Sequence, residues 1–253
     1  MVHYSDFWDT VAQNVDIVRA DIETLEYHKI ILSNGSSIDA DAILLGTGYL
    51  DKLPFFSDDD CIALGLPHKK SSEQLSEKIE WERLESNAEK EILKLYPVLK
   101  TEAEVPKHLG DIDTEMSPYR LYHGVGPLNG DPTIAFVGFA IHPNMFESAE
   151  VTALWAVAYL DGSIKLPEIE EMKKDVAYTN TYMRLRIPTY GRLGNFYLYD
   201  KFAHYDQLLD KDLGLKRWHP KGWWAYWTSP SMPNNLKGLK DEYLEKYCRQ
   251  ICN

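Results

Sequence analysis

The sequence predicts an α/β protein, on three observations. Ala42–Leu45 is a short apolar run that fits a buried strand of a parallel sheet. It ends in Gly46-Thr47-Gly48, a turn where another molecule can approach the backbone. Just upstream, Lys29–Leu32, a turn centred on Asn34-Gly35, and Ser37–Asp41 read as strand, turn and second strand. Downstream, Met145–Leu160 is strongly helical, with small and apolar residues at 149, 153, 156, 157 and 160 that suit most of it to burial. Ligands of open α/β sheets sit beyond the carboxyl ends of strands, and Gly46–Gly48 fall at such an end. Most turns of this kind only connect elements.

Composition bounds the function. A chain of 253 residues can bury one large core or two small ones, and 44% hydrophobic with 26% charged residues is ordinary for a globular protein. The net charge of −12 argues against a nucleic-acid binder, which normally shows a basic face. Three cysteines, Cys61, Cys248 and Cys252, lack metal-ligand spacing and read as idle thiols in a reducing compartment. No apolar run reaches membrane-spanning length, and the first residues lack a signal pattern, so a cytoplasmic protein is expected.

In chain order, Ser5–Val11 reads as a short helix capped by Ser5, and Asp16–Ile22 as a strand. Asp51–Leu66 is loop-like, with Pro54, three successive aspartates and Gly65. Residues 70–100 are helical in propensity, with Leu75, Ile79, Leu84, Ile92 and Leu95 on one weakly apolar face, and read as a solvated helix or mobile insert. Tyr122–Pro132 is a turn-rich loop, Thr133–Phe139 a strand containing Gly138, and residues 168–187 a second, charged helix. Residues 188–195 are a loop and Leu239–Gln250 a final helix. Trp218, Trp223, Trp224 and Trp227 suit packing between elements, a pocket wall or a membrane interface. The implied divisions are 1–50, 51–117, 118–167 and 168–253.

Two stretches resemble flavin-containing monooxygenases and related FAD/NAD(P)H oxidoreductases. Ile31–Gly35, Asp41–Leu45 and Thr47-Gly48-Tyr49 match the segment that closes the nucleotide-binding insert of those enzymes and returns the chain to the FAD domain. Pro132-Thr133, Phe136-Val137-Gly138, Glu150, Ala153, Trp155-Ala156, Gly162 and Leu166-Pro167 fill a second family pattern in its usual order. The resemblance covers residues 15–50 and 118–167.

The resemblance implies a partial Rossmann-like, two-dinucleotide-binding fold with a helical C-terminal part. Two G-x-G-x-x-G fingerprints, for FAD and for NADPH, belong to the family. Neither is present here: Gly46-Thr47-Gly48 lacks the third glycine, and Gly124-Val125-Gly126 leads into a strand. The chain therefore resembles a C-terminal portion that is not expected to act alone. It implies that Thr47, Gly48 and Tyr49 lie near the flavin, that Gly138 ends a strand at its edge, and that Phe146, Glu147 and Ser148 open a helix aimed at its pyrimidine side. By the same resemblance, NADPH reduces FAD, and O2 then gives a C4a-hydroperoxide that oxygenates a small N-, S- or carbonyl substrate. No catalytic side chain and no metal ligand is implied. Glu150 reads as a helix-capping or ion-pairing residue, and His123 and His142 as exposed loop histidines, with the lining of a substrate channel as the alternative. The alternative is a non-catalytic remnant or partner-binding module.

Overall fold

The computed structural model describes residues 7–44, 55–101, 115–130, 132–141, 145–187, 197–198, 204–215 and 236–248. The expected Ser5 cap, the glycines at 46 and 48 and the tryptophans at 218–227 lie outside them. The chain divides into two compact units, 1–50 and 51–253. Helix and sheet are both present, as a mixed α/β class requires.

In the first unit, α1 (Phe7–Asn14) precedes a three-stranded antiparallel sheet of β1 (Ile22–Glu26), β2 (Lys29–Leu32) and β3 (Ser37–Asp39), in that order. The β2–β3 turn is held as its sequence suggests. The Asn34 side-chain oxygen accepts hydrogen bonds from the Ser36 N–H at 3.0 Å and the Ser36 hydroxyl at 2.6 Å, and Gly35 takes φ +81°. Pairing of Ile22 with Leu32, Leu25 with Ile30, and Ile30 with Ile38 gathers five aliphatic side chains on one face. The opposite face carries Thr24, Glu26, Lys29, Ile31, Ser37 and Asp39. Two expectations are corrected. Residues 16–21 are irregular and the strand begins at Ile22, because Tyr27-His28 forms a tight turn that sets its register from the other end. Ala42–Leu44 is not a strand, since no neighbouring strand among the described residues pairs with it, and Leu44 stands fully open.

The second unit opens with a helix the sequence reading missed. In α2 (Asp58–Leu64), the Ser57 hydroxyl accepts from the Asp60 N–H at 3.1 Å and the Asp60 carboxylate from the Ser57 N–H at 3.1 Å, a reciprocal capping box. The Ser57 hydroxyl, which also donates to the Asp60 carboxylate at 2.6 Å, and then the Ser57 N–H hold the Asp60 carboxyl below its usual range. Gly65 ends the helix at φ +71°, where an added Cβ would run into the Arg120 carbonyl oxygen. Residues 65–70 then pair antiparallel with 115–120. Arg120 N–H donates to Gly65 O at 2.6 Å, Ser117 N–H to His68 O at 2.8 Å and Lys70 N–H to Glu115 O at 2.8 Å.

Between those paired stretches runs α3 (Leu75–Leu95), which is no solvated insert. Its buried stripe is Trp81, Leu84, Ala88 and Ile92, while the expected Leu75, Ile79 and Leu95 are exposed. The stripe packs on α5 (Ile169–Arg186) through Val176 and Ala177. Lys173 pairs with Glu80 at 2.9 Å and Arg184 with Glu89 at 2.9 Å, so the two helices run in the same direction. On α3, burial pushes the Glu85 carboxyl above its ordinary 4.5, against the pull of Arg120, Arg184 and Lys70. A carboxyl raised on folding adds stability below its unfolded value and loses it as pH rises through the folded one. Glu85→Gln is therefore expected to stabilise the protein by up to about 1 kcal/mol at pH 7. The gain should vanish near pH 4 in urea titrations run at both pH values.

The main core surrounds α4 (Met145–Leu160), whose Val151, Trp155, Ala158 and Tyr159 are buried. Packed with them are Leu208 and Leu209 of a π-helical segment, Asp206–Asp212, then Leu213 and Leu215. Also in this core are Leu239 and Tyr243 of α6 (Leu239–Tyr243), which continues as a second π-helical turn, Leu244–Cys248. The Tyr247 hydroxyl donates to Leu213 O at 2.9 Å. Burial, aided by Asp161, pushes the Tyr243 hydroxyl up to about 12. The expected strand at 133–139 is not formed. The ladder begins at β4 (Ala140–Ile141), parallel to β5 (Tyr197–Leu198), with α4 and α5 in the crossover.

Candidate functional site

The loop Tyr122–Gly126 is folded onto α4. Tyr122 N–H donates to Gly126 O at 2.7 Å, and a Cβ on Gly126 would come within 3.3 Å of the Trp155 and Tyr159 rings. Any larger residue at 126 would require these rings to give by a few tenths of an ångström. Phe136 N–H donates to Val125 O at 2.9 Å, which ties the loop to the segment leading to Gly138.

His123 is the feature that sequence reasoning misjudged. It is buried, with φ +53°, and its Nε2 lies 3.2 Å from Asp212 and its Nδ1 3.8 Å from Asp175. Its ring lies 3.8 Å from that of Tyr122 and edge-on to Trp155 at 5.8 Å. Asp212 also accepts from the Trp155 indole N–H at 2.8 Å and the Gln207 amide at 2.9 Å. Burial raises the Asp175 carboxyl, with His123 opposing and Asp212 reinforcing the shift. Burial and then Asp212 also push the Tyr122 hydroxyl well up, so it stays a neutral phenol. This cluster joins the loop, α4, α5 and the π-helical segment. It anchors the loop from behind. Its carboxylates lie 52 and 89 residues from His123 (175 − 123 and 212 − 123), which is why sequence alone did not reveal it.

Of the residues expected at a cofactor, Thr47, Gly48 and Tyr49 lie outside the described residues, as does His142. Gly138 is exposed at φ +96°, with open space where a Cβ would be. Phe146, Glu147 and Ser148 share the first turn of α4 but face different ways. Phe146 is 91% exposed, whereas Glu147 and Ser148 are each 2% exposed. Glu147 lies on the side of Tyr205, whose hydroxyl is pushed up by burial and then by the charges of Glu147 and Glu150. The Ser148 carbonyl accepts from the Thr152 hydroxyl at 2.7 Å. Glu150 is exposed. Among the described residues no group of three or more His, Cys, Asp or Glu is arranged to hold a metal, and no helix is long and apolar enough to cross a membrane.

Comparison with known proteins decides the relationship. A curated FAD-dependent monooxygenase of Pyrenophora dematioidea is 35% identical over 215 residues, 82% of this chain and 38% of the relative. The chain is homologous to FAD-dependent monooxygenases. The FAD-dependent monooxygenase resA of Aspergillus sclerotiorum is 30% identical over 95% of this chain and 42% of its own length. The FAD-dependent monooxygenase DEP4 of Fusarium langsethiae is 29% identical over 94% of this chain and 41% of its own length. The chain thus spans about two-fifths of the length of these monooxygenases. No family profile matches it. The open space beside Gly138 is compatible with the approach of a flavin.

Proposed function

We infer that this chain forms the C-terminal, flavin-facing portion of an FAD-dependent monooxygenase that uses NADPH and oxygenates a small N-, S- or carbonyl substrate. The observation that carries this reading is the match to FAD-dependent monooxygenases along 82–95% of the chain. FAD, when bound, supplies the redox chemistry, taking electrons from the nicotinamide and passing one oxygen atom of O2 to the substrate. The protein's part is to hold and orient it. Gly138, lacking a Cβ, leaves room at the flavin edge, and Thr47, Gly48 and Tyr49 are cofactor-binding residues by sequence resemblance. The first turn of α4 contributes backbone N–H groups and the positive end of its dipole, which favour negative charge on the pyrimidine side. Glu147 and Ser148 act through their backbone, since both side chains are buried. A Rossmann-like parallel sheet, of which the β4–β5 ladder is a small part, would complete the frame.

A second reading, a non-catalytic partner-binding module, draws on the aliphatic face of the first unit, where Ile22 and Leu25 are well exposed. Visible absorption after incubation with FAD and desalting separates the two. The 253-residue chain alone is expected to come off the column colourless. Co-expressed with the part of the Pyrenophora relative that it does not match, it should retain a flavin band that NADPH bleaches under nitrogen. A colourless product in both preparations would leave only the partner-binding reading. A band in the chain alone would show that it holds FAD unaided.

A further inference from the structure

Helix α4 is apolar on both of its sides. Val151, Trp155, Ala158 and Tyr159 face the main core. On the opposite side Phe146, Ala149, Ala153, Val157 and Leu160 recur at three- and four-residue spacing, which sets them in one stripe along the helix. Phe146 is 91% exposed, Val157 50% and Leu160 44%, and the two alanines are half-buried. The helix carries only two charged residues, both acidic. Glu147 is buried, and Glu150 lies exposed along one edge of the stripe, with no ion pair to another described residue. A single exposed aliphatic is ordinary, but a helix that is apolar all round belongs inside a protein.

The sheet beside α4 is unfinished in the same way. β4, which leads into α4, pairs only with β5 among the described residues, and parallel strands are normally found in sheets covered on both faces. The relatives indicate what completes this layer. The chain matches 38–42% of their length, so more than half of each relative's polypeptide lies outside the match and shares a fold with it. A second copy suits the stripe less well, because a net charge of −12 opposes self-association. Ala149 and Ala153 leave the stripe shallow between Phe146 and Val157, which lets another helix approach closely. We propose that the outer stripe of α4 is the docking face for an amphipathic helix from the portion of the monooxygenase polypeptide that this chain does not match, with a basic side chain opposite Glu150. This rests on reading the chain as one portion of a longer monooxygenase, and not on the positions assigned to the flavin.

Thiol protection tests it with no FAD present. The unmatched portion of the Pyrenophora relative is added to the full 253-residue chain, or fused ahead of it in one polypeptide. Val157→Cys, read against the native cysteines as baseline, should react readily with a maleimide in the chain alone. In the mixture and in the fusion it should react at least about tenfold more slowly, whereas Leu75→Cys on α3 should react alike in every preparation. Val157→Glu, which places a charge in the contact, should weaken association of the two parts by about tenfold or more while the circular dichroism stays unchanged. Protection found without a retained flavin band would uphold the docking face even where the flavin reading fails. The proposal is overturned if the Val157→Cys rate in the fusion equals that in the chain alone, if Leu75→Cys is protected to the same degree, or if Val157→Glu associates as wild type does. Protection in the chain alone that is lost on dilution would place a second copy on the stripe and overturn it as well.

Discussion

Substituting alanine for Trp155 is expected to cost about 3–5 kcal/mol, enough to leave much of the protein unfolded at 37 °C. The indole is fully buried, stacked on Tyr159 at 5.4 Å and packed under Gly126, and its N–H donates to Asp212 at 2.8 Å. Alanine removes the packing and a hydrogen bond to a half-buried carboxylate together. Trp155→Phe separates the two. It keeps most of the ring contact and should cost about 1–3 kcal/mol, the share of the lost charge-assisted bond and the smaller ring. Urea unfolding followed by circular dichroism measures both variants. Near-equal losses would mean that the Asp212 bond, not the packing, carries most of what Trp155 contributes to stability.

Glu73→Gln should cost about 3–5 kcal/mol, although it changes only an oxygen to an amide. The Glu73 side chain is 2% exposed, and one of its oxygens serves both His68 at 2.9 Å and Arg120 at 3.0 Å. His68 Nδ1 lies 2.7 Å from Leu66 O and Nε2 lies 2.9 Å from Glu73 Oε1, so the ring ties the carboxylate to the backbone at 66. Without the carboxylate, Arg120 remains buried beside a neutral amide. Adding Arg120→Met to Glu73→Gln should restore much of the loss, because the buried charge goes with it. A midpoint for the single variant within about 0.5 kcal/mol of wild type would show that the pair is screened.

Local chemistry was legible in the sequence, and long-range pairing was not. The Asn34-Gly35 turn set the β2–β3 register, and the apolar pattern of Met145–Leu160 gave α4 to the residue. The capping box of α2 was also readable as Ser57-x-x-Asp60, but Pro54 and the aspartate run suggested a loop. On α3 the helix was foreseen and its face was half right. Trp81 and Ala88 complete the stripe, and only the position of α5 selects them over Leu75 and Ile79. The strands expected at 42–45 and 133–139 rested on apolar runs alone, and a strand forms only where a neighbour supplies a ladder. At the candidate site, the positive φ of Gly138 suits its residue type, whereas the burial of His123 depended on carboxylates contributed by distant elements.

The antiparallel pairing of residues 65–70 with 115–120 has a consequence for descent. The hydrogen bond from Lys70 N–H to Glu115 O, at 2.8 Å, brings the two ends of the intervening segment together. Lengthening or shortening the chain between the end of α3 and residue 115 then leaves both anchor points in place. Closing a longer excursion costs only about 0.6 kcal/mol per doubling of its length. Insertions and deletions that diverging copies accumulate should concentrate there, while residues 65–70 and 115–120 keep their pairing.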